Sequence, residues 1–238
     1  MNIDREQPIE AAKKFIEKKF PKCKGALLAG SVVRGEETST SDLDIVVFDP
    51  TIASSYRESL MEFGWPIELF VHNLHSYKKY FASDCKRATP SMPQMVAEGI
   101  VIRDEGAVAG IKEEAIVLLE NGPAKWTEET VRLKRYFITD ALDDFTGSKN
   151  RSEALFIAGT LASLVSEFIL RTNLQWIGDS KWMVRALKKF DRKIADEFVY
   201  AFDQYYTFDQ KEYIVRMTKK SLEPYGGLLF AGFSLGKS

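Results

Sequence analysis

Two aspartates open an apolar run, Asp42-Leu43-Asp44-Ile45-Val46-Val47-Phe48, at a spacing that suggests metal chemistry. The β-branched and aromatic residues of the run predict a strand, in which side chains alternate between faces. Asp42 and Asp44 then share one face, with their Cα atoms about 6.6 Å apart. Two bare carboxylates about 5 Å apart would repel by roughly 3 kcal/mol at an effective dielectric near 20. The pair therefore predicts a Mg²⁺ site; the alternative is a solvated edge or turn.

Glu68 is the third carboxylate of the predicted site. It interrupts the apolar run Trp65-Pro66-Ile67-Glu68-Leu69-Phe70-Val71, which otherwise has the pattern of a buried strand. Mg²⁺ prefers octahedral oxygen coordination and leaves positions for substrate phosphates. Three carboxylates, water and a triphosphate together predict a two-metal centre for phosphoryl-type chemistry.

A Gly-Ser pair precedes the aspartates and supplies the elements of an anion site. Gly30 and Ser31 follow the apolar run Gly25-Ala26-Leu27-Leu28-Ala29, which predicts a strand leading into a turn and a brief helix. Glycine lets backbone approach a phosphate, the turn and helix start offer N–H donors, and the serine adds a hydroxyl. Arg34, one turn later, is placed to reach the same anion.

These residues together resemble the signature of the polymerase-beta-like nucleotidyltransferase superfamily, which is an apolar strand, Gly-Ser, a variable stretch, Asp-x-Asp in a second strand and a later acidic strand residue. The sequence of residues 31–35 and 41–44 is most similar to the bacterial small-substrate branch, which includes the aminoglycoside and lincosamide nucleotidyltransferases. The resemblance implies a small mixed sheet with helices on one side. It also implies that Gly30, Ser31 and Ser41 hold a nucleoside triphosphate and that Asp42, Asp44 and Glu68 hold Mg²⁺.

The composition of the 238-residue chain limits the classes of partner. Lys and Arg number 33 against 34 Asp and Glu, a net charge of −1, so a nucleic-acid partner is not expected. Cys23 and Cys85 show no metal or disulfide spacing, which favours a reduced, cytoplasmic protein. The longest mostly apolar stretch, 154–165, is shorter than the roughly 20 residues that span a bilayer, so no membrane segment is expected.

Hydrophobic periodicity divides the chain into two predicted domains. A helix from Pro8 to Phe20, the strands above and a short strand at 100–103 form an α/β order in residues 1–105. From residue 106 to 238 helical periods dominate, so the predicted fold class is α+β, with a helical bundle after the catalytic domain. The helical periods cover residues 127–146, 152–172, 181–190, 192–206 and 210–222.

The helical domain contains two further candidate site residues. Thr160, Ser163, Glu167 and Arg171 fall on one face of an otherwise apolar helix, so Glu167 is a candidate general base for an acceptor hydroxyl. A helical-domain Glu followed one turn later by a basic residue resembles the base of aminoglycoside nucleotidyltransferases; the alternative is a structural Glu-Arg pair. Lys181, between two tryptophans, resembles a Lys of small-molecule nucleotidyltransferases and would neutralise β- and γ-phosphate charge, or is a surface lysine.

The sequence thus predicts a Mg²⁺-dependent nucleotidyltransferase of the EC 2.7.7 type, similar to antibiotic-resistance enzymes. It would move AMP from ATP, or another nucleotide from its NTP, onto a hydroxyl of a small molecule and release pyrophosphate. The acceptor would resemble an aminoglycoside or lincosamide. Alternatives are AMP transfer to a protein, transfer to a nucleic-acid 3′ end, and a non-catalytic nucleotide-sensing module. The oligomeric state is open, with a homodimer among the options.

Overall fold

The computed structural model describes residues 5–236 and has the predicted α+β class. The chain divides into two compact units, Met1–Asn121 and Gly122–Ser238. The first unit contains strands β1 (Gly25–Ala29), β2 (Leu43–Phe48), β3 (Tyr56–Glu62), β4 (Trp65–His72) and β5 (Ile100–Asp104), with helices α1 (Pro8–Lys19), α2 (Tyr77–Lys86), α3 (Ser91–Glu98) and α4 (Val108–Asn121).

The sheet of the first unit is mixed, as the resemblance implied. Its strand order is β3-β4-β2-β1-β5. The central strands β2 and β4 run parallel, whereas the other three neighbouring pairs are antiparallel. The parallel register places Asp44 directly beside Glu68. The fold therefore brings two of the predicted carboxylates together by backbone pairing.

Helices cover both faces of the sheet, so the expectation of helices on one side was wrong. Helix α1 packs Phe15 and Ile16 against one face, and helices α2, α3 and α4 pack against Leu27, Val46 and Phe48 on the other. The reason is that β1 is buried along its whole length and β2 along all but one residue. Strands without a polar face need a layer on each side.

Sequence reasoning missed edge strand β3. All but two of its residues are exposed, so it lacks the apolar alternation that indicates a strand. It forms a hairpin with β4 through the two-residue turn Phe63-Gly64, whose φ values of 52° and 78° are both positive. Such turns usually carry Asn or Asp in the first position, and Phe63 gives no such signal.

The second unit is helical, and its helices match the predicted periods. They are α5 (Glu128–Gly147), α6 (Arg151–Thr172), α7 (Lys181–Phe190), α8 (Arg192–Phe208) and α9 (Lys211–Leu222). Helix α6 contributes the largest share of the buried core, including Leu161, Val165 and Phe168. The Gly-rich tail also packs, because Phe233 stacks on Tyr136 of α5 with ring centroids 3.9 Å apart.

Helix α4 lies in the first unit, whereas the sequence analysis placed the second domain from residue 106 onward. Asp104 Oδ1 accepts hydrogen bonds from the N–H groups of Gly106, Ala107 and Val108, and so joins β5 to α4. Val108, Ile111 and Ala115 then complete the core formed with α2 and α3. The apolar face of α4 is thus part of the sheet domain.

Helix α6 is long and apolar enough to span a membrane by length and composition alone, contrary to the expectation that its apolar stretch is too short. The sequence estimate stopped at residue 165, whereas the helix continues through Phe168, Ile169 and Leu170. Of its most apolar window, 44% is buried inside the protein. A single helix of this kind is weak evidence of a membrane span, and Leu161, Val165 and Phe168 of α6 pack into the core of the second unit.

Candidate active site

The three predicted carboxylates converge in the structure. One oxygen from each of Asp42, Asp44 and Glu68 lies within 4.8 Å of the other two. Asp42 lies just before β2, Asp44 is its second residue, and Glu68 is the neighbouring residue of β4. All three side chains are half-buried. This arrangement offers three oxygen ligands to one region of space, as divalent hard cations require.

Gly30 closes the site on the side of β1. Its φ is +82°, and a Cβ built on it would lie 2.0 Å from Asp44 Oδ2. The closeness follows from the register, because Ala29 pairs with Asp44 and Gly30 is the next residue. A glycine is therefore needed here both for its backbone conformation and for the space it leaves.

The two serines predicted to hold the triphosphate are in contact with each other. Ser31 Oγ donates to Ser41 Oγ at 3.1 Å, and the Thr38 N–H donates to the same Ser41 oxygen at 2.9 Å. Residues 31–35 form turns, not the predicted brief helix. The N–H groups of Val33 and Arg34 bond to the carbonyls of Gly30 and Ser31, so the chain turns immediately after the glycine. The result is a compact polar rim beside the carboxylates.

Asp44 carries the electrostatic cost of the site. Burial, followed by the charges of Asp42 and Glu68, raises the pKa of its carboxyl to about 6, although Arg34 and Arg57 act in the opposite direction. A carboxylate held this close to two others is poised to take up a cation, because a divalent ion relieves the desolvation and repulsion together.

Arg34, predicted to reach the phosphate, is held by two acids. Its guanidinium contacts the carboxylates of Glu98, the last residue of α3, and of Glu36. Burial is the main reason that the pKa of Glu98 is raised, and Arg34 counteracts it. Arg34 also lowers the pKa of Asp44, so the charge of Arg34 lies near the three carboxylates.

Arg57 is a charged neighbour of the site that sequence reasoning missed. It lies on β3 and donates from Nη2 to Glu68 Oε2 at 2.6 Å. Its Cζ lies 5.0 Å from the centroid of the Phe70 ring. No sequence signal could identify Arg57, because the strand that carries it was itself not predicted.

The candidate residues of the second unit lie in different surroundings. Glu167 is ion-paired with Lys134 of α5 at 2.6 Å, and both side chains are about one quarter exposed. Its predicted partner Arg171 is buried and donates from Nη2 to the carbonyl of Ala124 at 2.8 Å. Lys181 is exposed and begins α7. Each keeps its predicted role only as a hypothesis.

His72 lies on the same sheet face as Glu68 but is not placed to act as a ligand. It is 3% exposed, its Nδ1 lies 3.2 Å from Ser55 Oγ, and Tyr80 packs on its ring. Burial lowers its pKa to about 4, so the ring is neutral near pH 7. This packing is that of a structural histidine.

The mixed sheet presents a glycine turn beside three convergent acids, an arrangement whose oxygen donors could hold a divalent metal ion. Residues 9–73 match the family model described as "Nucleotidyltransferase domain". The chain therefore contains a nucleotidyltransferase domain, as the resemblance predicted. The matched residues include α1 apart from its first residue, strands β1 to β4 and all three carboxylates.

No curated protein matches the chain in sequence. A crystal structure of a nucleotidyltransferase-like protein from Exiguobacterium sibiricum 255-15 aligns over 91% of this chain and 73% of its own, with a TM-score of 0.48 and 11% identity.

Proposed function

We propose that this protein transfers a nucleoside monophosphate, AMP from ATP, onto a hydroxyl of a small-molecule acceptor and releases pyrophosphate in a Mg²⁺-dependent reaction. The convergence of Asp42, Asp44 and Glu68 within 4.8 Å is the observation that supports it most directly. Nucleotidyl transfer itself is the chemistry of the matched domain family. The nucleotide, the number of ions and the acceptor are the proposed parts.

The donor set suits Mg²⁺ because it consists of hard carboxylate oxygens at half-buried positions. Asp42 and Asp44 would hold two ions in common and Glu68 would complete the one beside the acceptor oxygen. The bound ions would polarise the α-phosphate and lower the pKa of the attacking hydroxyl. Ser31 and Ser41 would donate to triphosphate oxygens, and the Gly30 turn would let the phosphates approach the backbone.

The transfer is an in-line displacement at the α-phosphorus. A bond forms between the acceptor oxygen and phosphorus, the bond from phosphorus to the bridging α–β oxygen breaks, and pyrophosphate leaves. Glu167 is the proposed base that takes the hydroxyl proton, and Lys181 the proposed cation for the leaving phosphates. Since Glu167 is paired with Lys134, proton uptake there requires that the ion pair opens.

The reaction is tested by pyrophosphate release with Mg²⁺ and ATP. Replacing Asp44 by Asn should lower the rate at least about 100-fold, because several kcal/mol of metal-based stabilisation are lost. Asp196→Asn, an exposed aspartate on α8, is the matched control and should keep the wild-type rate. Full activity of the Asp44 variant would refute the assignment.

The acceptor is tested with labelled ATP against aminoglycosides, lincosamides, proteins and RNA. The helical unit and the net charge of −1 favour a small molecule over a nucleic acid. Label on an aminoglycoside or lincosamide would support the proposal, and label confined to protein or RNA would replace its acceptor. Both cysteines are free thiols, which supports the cytoplasm as the proposed location.

A further inference from the structure

Arg57 lies on the edge strand β3 and contacts Glu68, the last of the three carboxylates in the sequence. In the antiparallel pair of β3 and β4, Arg57 is directly opposite Phe70, and Ser59 is opposite Glu68. Residues opposite each other in such a pair share a face of the sheet. Arg57 therefore lies on the Glu68 face, on the diagonal, where a long side chain can reach the carboxylate.

The guanidinium is fixed by two contacts at once. Its Nη2 donates to Glu68 Oε2 at 2.6 Å, and its Cζ lies 5.0 Å from the Phe70 ring centroid. A stacked arginine has few remaining orientations, so its hydrogen bond to an acid also limits the rotamers of that acid. The Arg57 side chain is 59% exposed and that of Glu68 29% exposed. A pair this exposed contributes little to stability, and its main effect is on geometry.

The hydrogen bond from Arg57 does not prevent Glu68 from converging with Asp42 and Asp44. Glu68 offers an oxygen within 4.8 Å of the oxygens of Asp42 and Asp44 while its Oε2 accepts from Arg57. An ionised carboxylate has two oxygens and about four acceptor positions, so one donor leaves capacity for a cation. Hydrogen bonds behind a metal ligand commonly orient it and strengthen metal binding.

We propose that Arg57 is a positioning residue, which holds Glu68 in the orientation that completes the metal site and so strengthens the binding of a divalent cation. The inference rests on the proposed function, because it takes the trio as the metal site. It goes beyond that function by assigning a role to a residue outside the Gly-Ser and Asp-x-Asp motifs. The opposite role, in which the guanidinium competes with the cation for Glu68, would change metal affinity in the other direction.

The test is a titration of the nucleotide-free full-length protein with Mn²⁺, followed by the electron paramagnetic resonance signal of the free ion. Arg57→Gln should weaken Mn²⁺ binding about 10-fold, within the range for lost outer-sphere hydrogen bonds. Arg57→Lys should recover part of the loss, since an ammonium group can still donate to Glu68 but lacks the planar stacking surface. Unfolding curves of each variant show whether the fold is retained.

Arg87→Gln is the matched control. Arg87 is 62% exposed and paired with Asp84 in the same unit, so its removal changes the net charge equally and leaves Glu68 untouched. This variant should bind Mn²⁺ with wild-type affinity. Removal of a positive charge alone would tighten cation binding, so an equal loss in both variants would mean a general structural perturbation and would overturn the proposal.

A second variant tests the same geometry without removing the charge. Phe70→Leu keeps an apolar side chain but removes the ring under the guanidinium, so it should also weaken Mn²⁺ binding. The double variant Arg57→Gln/Phe70→Leu should lose no more Mn²⁺ affinity than Arg57→Gln alone. It replaces Arg57→Gln if that variant does not fold. Wild-type affinity in Arg57→Gln, or tighter binding, would overturn the positioning role alone. Absence of Mn²⁺ binding in the wild type would overturn the proposed function as well.

Discussion

The candidate site depends on contacts so close that adding a single side-chain atom would disturb them. Gly30 leaves a space that the Asp44 carboxylate fills. That carboxylate is held where burial and the neighbouring charges disfavour its ionised form. The buried charge of Asp44 opposes the stability of the metal-free protein, whereas Gly30 relieves the crowding beside it. They make sense together if a cation occupies the position they create.

Gly30→Ala should abolish metal-dependent activity and destabilise the protein by about 2 kcal/mol or more. The new Cβ would lie 2.0 Å from Asp44 Oδ2, and the positive φ adds strain of roughly 1–2 kcal/mol. Gly35→Ala is the control, because Gly35 also has a positive φ, +66°, but an added Cβ would have no neighbour within 4 Å. It should show the strain alone in a urea titration. Equal losses in both variants would contradict the steric explanation.

Asp44→Asn should stabilise the metal-free protein at pH 8, by up to about 3 kcal/mol, while it removes activity. The pKa of Asp44 is raised from 3.8 to about 6, so the folded state binds this proton more tightly than the unfolded state does. The cost is therefore absent below pH 3.8, grows as the pH rises towards 6, and is fully present above it. Urea unfolding in EDTA at several pH values measures the difference.

Asp104→Asn is the control with the opposite sign. Its carboxylate accepts several backbone hydrogen bonds at the start of α4, and these bonds, chiefly that from Val108, lower its pKa. Its stabilising effect is present above the unfolded pKa and is lost as the pH falls through the lower folded value. This variant should therefore be less stable than the wild type at pH 8. A gain in stability there would contradict the capping role of Asp104.

Among the helices and strands, the long or buried ones could be predicted from the sequence. The five helices of the second unit were predicted because each carries an apolar period over two turns or more, and β1, β2 and β4 because their residues are apolar or alternate. Strand β3 was not predicted because an exposed edge strand has no apolar pattern. Helix α4 was not among the predicted helical periods, so the core that it joins was not identified either. The same limit applied to the site: Asp42, Asp44 and Glu68 lie on predicted strands, whereas Arg57 does not.

The assignment of α4 to the sheet unit predicts the behaviour of fragments. A fragment of residues 1–121 should fold and unfold cooperatively, whereas a fragment of residues 1–105 should not. The shorter fragment lacks Val108, Ile111 and Ala115, which are between 0% and 6% exposed, so the core that they cover would be open to solvent. Losing three such side chains costs several kcal/mol, which is comparable to the stability of a whole domain. Circular dichroism during thermal unfolding compares the two fragments. Cooperative unfolding of the shorter one would place the domain boundary near residue 105.

The charge balance of the protein favours the proposed small-molecule acceptor over a nucleic acid. Several basic side chains of the sheet unit are engaged by acids, including Lys18 with Glu62 and Lys24 with Glu105. The net charge of −1 leaves no overall attraction for a polyanion. A substrate would instead be selected within a pocket, which is consistent with the small-molecule acceptor we propose.

This balance predicts that single-stranded RNA does not bind at low salt. In fluorescence anisotropy, labelled RNA should show no change with up to about 10 µM protein at 50 mM salt, near the range where basic proteins bind non-specifically. A titration with Mg²⁺ and ATP on the same preparation shows that the protein is competent. A true RNA site that neutralises about six phosphates would instead bind at 50 mM salt and lose roughly 300-fold in affinity at 200 mM. Such a salt dependence would replace the small-molecule acceptor by an RNA end, while the carboxylate trio would keep its role.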